Sequence, residues 1–265
     1  MIEHNPTKCH DKSANHAGSI QMNIAVQNSQ LVLTHENILE ILKTNSWFSN
    51  LPDYLISILM TCATLRFYPD GEMVHYQGGP ARGLYAVIQG SVKVSSISSD
   101  GRECVFRYLS PGNWFGEIAM LDKSARTHDA KAISPTILLT ISPKDLAMIL
   151  EKHPVFYQFL NILLCKVIRN AFTIINDSAL LSVSARLAKR LLSLAEGYGE
   201  PHEKGIQLSL YLTQDDLATI INTTRQTINK RLVAWEKLGW IDAKYGKIIL
   251  VNLPALKQIS EDDEE

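Results

Sequence analysis

No C-x-x-C pair occurs in this sequence, and its four cysteines, Cys9, Cys62, Cys104 and Cys165, lie far apart. That spacing argues against a zinc finger and a disulfide framework, and it fits a reducing cytoplasm. The longest apolar stretch, around residues 161–175, is interrupted by Lys166 and Arg169, so no run reaches the roughly 18–20 residues of a membrane span. The first residues, MIEHNPTKCHDKSANHAGS, hold no apolar signal core. There is no nucleophile–base set and no metal-ligand spacing, which leaves catalysis without a candidate. His4, Cys9, His10 and His16 match no standard metal pattern. A dominant charge sign is also missing, since the net charge is −1. The distribution is uneven: residues 183–259 carry 11 Lys/Arg against 7 Asp/Glu, a net +4, and Glu261 to Glu265 add −5. Residues 34–155 are balanced, with 11 basic and 12 acidic side chains. A basic module ahead of an acidic tail hints at nucleic acid there, although a solvated basic face reads the same way.

The 265 residues, 46% of them hydrophobic, suffice for two domains. Residues 1–33 are polar and aperiodic and read as a disordered leader. Residues 34–155 read as a small β-domain. Thr34 caps a first helix with Asn37 three residues on, and a second follows Pro52-Asp53. Short β-type runs come next: TLRFY, MVHY, LYAVIQ, SVKVSSIS, ECVFRYL, DAKAI and TILLTIS. Glycine- and proline-rich turns separate them, and Asp100-Gly101 is a hairpin signal, so the expectation is an antiparallel sandwich or barrel. A last helix starts at Pro143-Lys144-Asp145 and stops at Pro154.

Within this domain one group differs from plain turns. A short helix opening at Gly116 would present free N–H groups to an anion. Arg126 can grip a phosphate with two donors. Glu117, a carboxylate beside an anion site, needs hydroxyl donors such as a ribose supplies, and Thr127 adds a donor. The competing reading is a Glu117–Arg126 ion pair that pins a loop.

Residues 156–182 read as one long helix. Leu160, Leu164, Val167, Ala171, Ile174, Ser178 and Leu181 alternate steps of four and three, a seam suited to an identical helix in a parallel coiled coil. A core helix of a single globule can show the same spacing. Residues 183–259 follow as a reader module. Val183–Glu196 is an amphipathic helix ended by Gly197, then come a polar loop and the strand IQLSLYL. Thr213 caps a helix with Asp216 three residues on. Asn222 stands at a sharp turn where the left-handed conformation is needed. Thr223, with Gln226 three on, caps a second helix that carries Arg225, Gln226, Asn229, Lys230 and Arg231 outward and Ile228, Leu232 and Trp235 inward. Two helices joined by a tight turn and followed by the hairpin WIDAKYGKIILV make a winged helix-turn-helix. Residues 260–265 form an acidic tail.

GEIAML followed by ART resembles the phosphate-binding cassette of cyclic-nucleotide-binding domains, including the step of nine from Glu117 to Arg126. LTQDDLATIINTTRQTINKRLVAWEKLGWI resembles the reader of the CRP/FNR family, and the two together cover residues 35–251. The resemblance implies an α+β chain: an antiparallel β jelly-roll, a long dimerisation helix and a C-terminal winged helix-turn-helix. It implies a cyclic nucleotide, cAMP or cGMP, held by Gly116, Glu117, Ile118, Ala119, Arg126 and Thr127, with Glu117 on the ribose, Arg126 on the cyclic phosphate, and no metal. His128-Asp129 departs from the motif and places an acid near the phosphate. The resemblance also implies a cytoplasmic homodimer joined through residues 156–182, a transcription regulator, activator or repressor, that works with RNA polymerase on palindromic double-stranded DNA. Thr213, Thr223, Thr224, Arg225, Gln226, Asn229 and Lys230 would touch that DNA. Arg225, Gln226 and Lys230 fall on base-reading positions, with Gln226 where the cyclic-AMP receptor has Glu. Glutamine pairs best with adenine, whereas a carboxylate accepts from cytosine N4. The family's hydroxyl donors to the base fall on Ala171 and Phe172, which cannot donate, with Thr173 adjacent. A different signal (another metabolite, redox or haem), or DNA binding without ligand, is the alternative. His75 reads as a satisfied interior histidine, and the lone Cys9 argues against an iron–sulfur cluster.

Overall fold

The computed structural model describes residues 22–26, 29–101 and 103–261. Met22–Val26 (β1) and Ser29–Leu33 (β2) pair antiparallel. The expectation of a disordered leader through residue 33 is corrected here, because MNIAV and SQLVL are two β-competent runs hidden in a polar segment. His4, Cys9, His10 and His16 lie outside the described residues.

Helix α1 (His35–Lys43) starts where the Thr34 hydroxyl accepts from the Asn37 amide at 3.2 Å. After α2 (Ser46–Ser49) and α3 (Asp53–Cys62) come β3 (Thr64–Tyr68), β4 (Met73–His75), β5 (Leu84–Gln89), β6 (Val92–Ile97), β7 (Glu103–Leu109) and β8 (Trp114–Phe115). The short helix α4 (Glu117–Asp122) precedes β9 (Asp129–Ala132) and β10 (Thr136–Ile141). Two four-stranded antiparallel sheets result, ordered β3-β10-β5-β8 and β4-β9-β6-β7. They close on a core that includes Tyr68, Val87, Val94, Leu109, Phe115 and Leu138. The antiparallel β-domain expected from the short strands is thus present.

Helix α5 (Pro143–Lys152) is capped by Ser142, and α6 (Phe156–Leu180) follows. Phe156, Leu160 and Leu163 of α6 join a second core with Trp47, Trp114, Leu146 and Ile149. Beyond Leu163 the helix is largely bare: Ile168, Phe172, Ile174, Ile175 and Leu180 are all exposed. Of the seam, Leu160 is engaged by the β-domain, Leu164 and Val167 are half-buried, and Ala171, Ile174 and Ser178 face solvent. The helix ends at residue 180 rather than 182. Leu181 turns extended, and the Ser182 side chain caps the next helix by accepting from the Ala185 amide. By length and composition α6 is also the one helix among the described residues long and apolar enough to cross a membrane. Lys166 and Arg169 still interrupt it, so it contains no unbroken apolar run of that length.

The reader comprises α7 (Val183–Tyr198), β11 (Gly199–His202), β12 (Gly205–Leu208), α8 (Gln214–Ile220), α9 (Arg225–Lys237), β13 (Ile241–Lys244), β14 (Lys247–Leu250) and α10 (Leu253–Glu261). Its sheet runs β11-β12-β14-β13. Gly197 does not end α7. It lies inside the helix, where a Cβ would come 3.3 Å from the Ser110 hydroxyl of the β-domain. The expected polar loop contains β11. Helix α10 was not expected either; its Leu256 is fully buried in the reader core, and it takes up Glu261 from the acidic tail.

Candidate functional site

Gly116 sits at φ +89°, and a Cβ there would meet Arg126 Nη1 at 2.8 Å and the Gly83 carbonyl at 3.0 Å. Only glycine satisfies both the left-handed backbone and that close approach. It lets α4 open immediately after β8. The chain leaves α4 through Lys123, also left-handed at φ +59°, and returns so that the Arg126 amide donates to the Gly79 carbonyl at 2.9 Å. The Arg126 carbonyl accepts from the Gly78 amide at 2.8 Å, which clamps this loop to the turn after β4. Gly116, Glu117, Ile118, Ala119, Arg126 and Thr127 come together with His128 around a cavity of about 10 Å³.

The charged pair inside is not an ion pair. Arg126, 3% exposed, donates from Nη1 to the Gly116 carbonyl at 2.8 Å and from Nη2 to the Gly83 carbonyl at 2.7 Å. Its guanidinium lies over the Tyr85 ring, 5.5 Å from the centroid. Each terminal nitrogen keeps a second hydrogen, and Nε is buried without a partner among the described residues. Glu117 is 4% exposed, and its Oε2 likewise has no partner. Burial pushes its carboxyl up, against the pull of its own backbone hydrogen bond, Arg107 and Arg126. A buried oxygen of this kind asks for hydroxyl donors, which a sugar diol provides.

Asp129 is not a free acid at the phosphate end. Its Oδ1 accepts from the Gln77 amide at 2.7 Å and holds the neighbouring turn. His75 is 6% exposed, and among the described residues neither ring nitrogen has a partner at hydrogen-bond geometry, with the His128 backbone the nearest polar group acting on the ring. Its ring packs on those of Tyr85, Phe115 and His128 at 6.2, 6.2 and 5.9 Å. Burial, and next Arg126, lower its pKa to about 3. Burial and then Arg107 lower that of His128 to about 4, so both rings are neutral at physiological pH. Among the described residues no cluster of three or more His, Cys, Asp or Glu could hold a metal. On α6, Ala171 and Phe172 are exposed, and the Thr173 hydroxyl is turned back to the Arg169 carbonyl at 3.1 Å.

Sequence reasoning missed Arg107. It pairs across the sheet with Val94, a core residue 4% exposed. Directly opposed residues share a face, so Arg107 points into the barrel towards Glu117 and His128. The alternation of β7 signalled this position, but a bulge at Phe106 disturbs the count.

In the reader, Thr213 caps α8 in a reciprocal box with Asp216. Asn222 takes φ +51° at the turn. The next cap is Thr224, whose side chain accepts from the Thr227 amide at 3.2 Å; Thr223 precedes it. The expected Thr223–Gln226 cap is therefore off by one, because the left-handed Asn222 uses one residue more than the spacing suggested. Gln226 is thereby left outside any cap. Arg225, Gln226, Asn229 and Lys230 are all exposed on the first turns of α9, while Ile228, Leu232 and Trp235 are buried. Arg225 is held by Asp215 at 3.3 Å, a pair about two-thirds exposed on both sides and worth little once another anion arrives.

Residues 65–153 match the model of the cyclic nucleotide-binding domain, and residues 185–259 that of the Crp-like helix-turn-helix domain. A cAMP-activated global transcriptional regulator CRP from Pasteurella multocida is 30% identical over 186 residues, 69% of this chain and 88% of its own. A CRP-like cAMP-activated global transcriptional regulator from Mycobacterium tuberculosis is 29% identical over 185 residues, 70% of this chain and 82% of its own. The solved structure of a transcriptional regulator of the CRP/FNR family from Thermus thermophilus superposes with a TM-score of 0.66 at 25% identity, covering 76% of this chain and all of that one.

Proposed function

The chain belongs to the CRP/FNR family of transcriptional regulators, and from that premise we propose that it acts as a homodimer whose readers engage a palindromic duplex under control of a cyclic nucleotide. It would work in the cytoplasm with RNA polymerase. The observation that carries the effector is the cradle. A buried carboxylate with one oxygen unpartnered among the described residues and a guanidinium with unused hydrogens lie beside the first turn of α4, a pattern that matches a ribose diol and a cyclic phosphate. Two relatives are named for activation by cAMP, which supports a nucleotide of that class. The bare apolar seam of α6 beyond Leu163 supports the dimer. Placed between cradle and reader, α6 can turn a ligand's preference for one arrangement into a spacing of the two α9 helices.

Calorimetry with cAMP and cGMP, followed by anisotropy of a labelled palindromic duplex with and without nucleotide, tests this. Micromolar nucleotide binding that raises DNA affinity is the expected result. Sedimentation as a monomer at micromolar concentration would sink the dimer. A second reading, DNA binding without ligand, draws support from the cavity of only about 10 Å³, since a nucleotide needs a few hundred Å³. Under the leading reading the cradle widens on binding. Under the second, neither nucleotide binds and the duplex is held unaided.

A further inference from the structure

We infer that Arg107 reads the base of the effector and that the base it fits is guanine. This rests on the cyclic-nucleotide reading above and deepens it. Strand register puts the side chain inside the barrel, opposite Val94. Val94 pairs in turn with Ala130 on β9, two residues from His128 and on the same face. Arg107 therefore faces the interior of the β-domain and lies near both Glu117 and His128.

Glu117 and Arg126 line the cavity, and Arg107 is a second guanidinium near Glu117. Arg126 is anchored on the Gly83 and Gly116 carbonyls, beside the first turn of α4 where a phosphate belongs. Glu117 takes the sugar. Arg107 is left for the remaining third of the ligand. A guanidinium offers only donors, in a planar fork. Guanine presents two adjacent acceptors, O6 and N7, to such a fork, whereas adenine presents N7 beside an amino donor that arginine cannot satisfy. The positions on α6 that would supply base-reading hydroxyls are Ala171 and Phe172, and the Thr173 hydroxyl is committed to its own helix. The donors for the base thus come from β7 and not from α6.

The test is calorimetry of cGMP and cAMP on the full-length protein and on Arg107→Ala and Arg107→Gln, with circular dichroism confirming each fold. The wild type should bind cGMP more tightly than cAMP by about tenfold or more. Arg107→Ala should bring the ratio near unity, and Arg107→Gln should turn it towards cAMP, because an amide matches the N6/N7 edge of adenine. Binding of both nucleotides with a ratio that the two variants leave unchanged, or a wild type that prefers cAMP, overturns the inference alone. Binding of neither overturns the cyclic-nucleotide reading and the inference with it.

Discussion

Gln226 carries the most specific chemistry on the reader. With the cap assigned to Thr224, its amide has no structural duty and stands exposed at the second position of α9. Gln226→Glu should move the preferred base at that operator position from adenine to cytosine, by about 1–3 kcal/mol. Competition anisotropy with operator variants checks it, and an unchanged ranking would refute the base-reading role. The corrected cap is testable beside it. Thr224→Ala should cost about 1 kcal/mol of reader stability, and Thr223→Ala close to none, as urea unfolding would show. In the β-domain, His75 gives a pH signature. Unfolded, it takes a proton near its ordinary 6.5, whereas folded it stays neutral down to about 3. Its contribution is therefore fully present above pH 6.5 and is lost as pH falls from there towards 3. At pH 5 the loss from this one ring is about 2 kcal/mol. His75→Leu should flatten the decline of urea-unfolding stability between pH 7 and pH 5; an equally steep decline would place the ring in a solvated site.

Strand β7 and helix α7 tie the two domains together. Arg190 of α7 donates from Nη2 to the Phe106 carbonyl of β7 at 3.2 Å. Tyr108, next on the same strand, packs against the reader core and lies near Asp216 of α8. Burial lowers the pKa of Arg190 and raises that of Tyr108, so the contact is largely dry. Since Arg107 sits between these two contacts and lies near Glu117, one strand borders both the cradle and the reader. Removing a buried charge-assisted bond typically costs about 1.5–3 kcal/mol. Arg190→Met should loosen the docking, seen as faster amide exchange along β7 and α8 with each domain still folded. Unchanged exchange would make the contact incidental.

Across the whole molecule the decisive question is how many copies act together. A single chain leaves Ile168, Ile174 and Ile175 of α6 in solvent, and an identical helix is the simplest cover. Ile174→Lys should yield a monomer by sedimentation with both domains intact. Affinity for the palindrome should then fall by about a hundredfold or more, because two linked readers act at high effective concentration. A monomer that retained full affinity would separate DNA binding from dimerisation.

Much of this was legible in the residues. Strand alternation, turn glycines, the Thr213 capping box, the left-handed Asn222 and the nine-residue step from Glu117 to Arg126 are local features, and local chemistry decides them. The seam of α6 was legible too, but not that Leu160 would be taken by the β-domain core. The sequence by itself determined the two modules, their order and the cast of charged groups. Only the tertiary structure decided how those groups are used. Arg126 turns onto two carbonyls rather than onto Glu117, Asp129 serves a turn, and Arg107 turns to the inner face past a bulge. Burial and cross-strand register set these partnerships between residues distant in sequence, so no spacing along the chain encodes them.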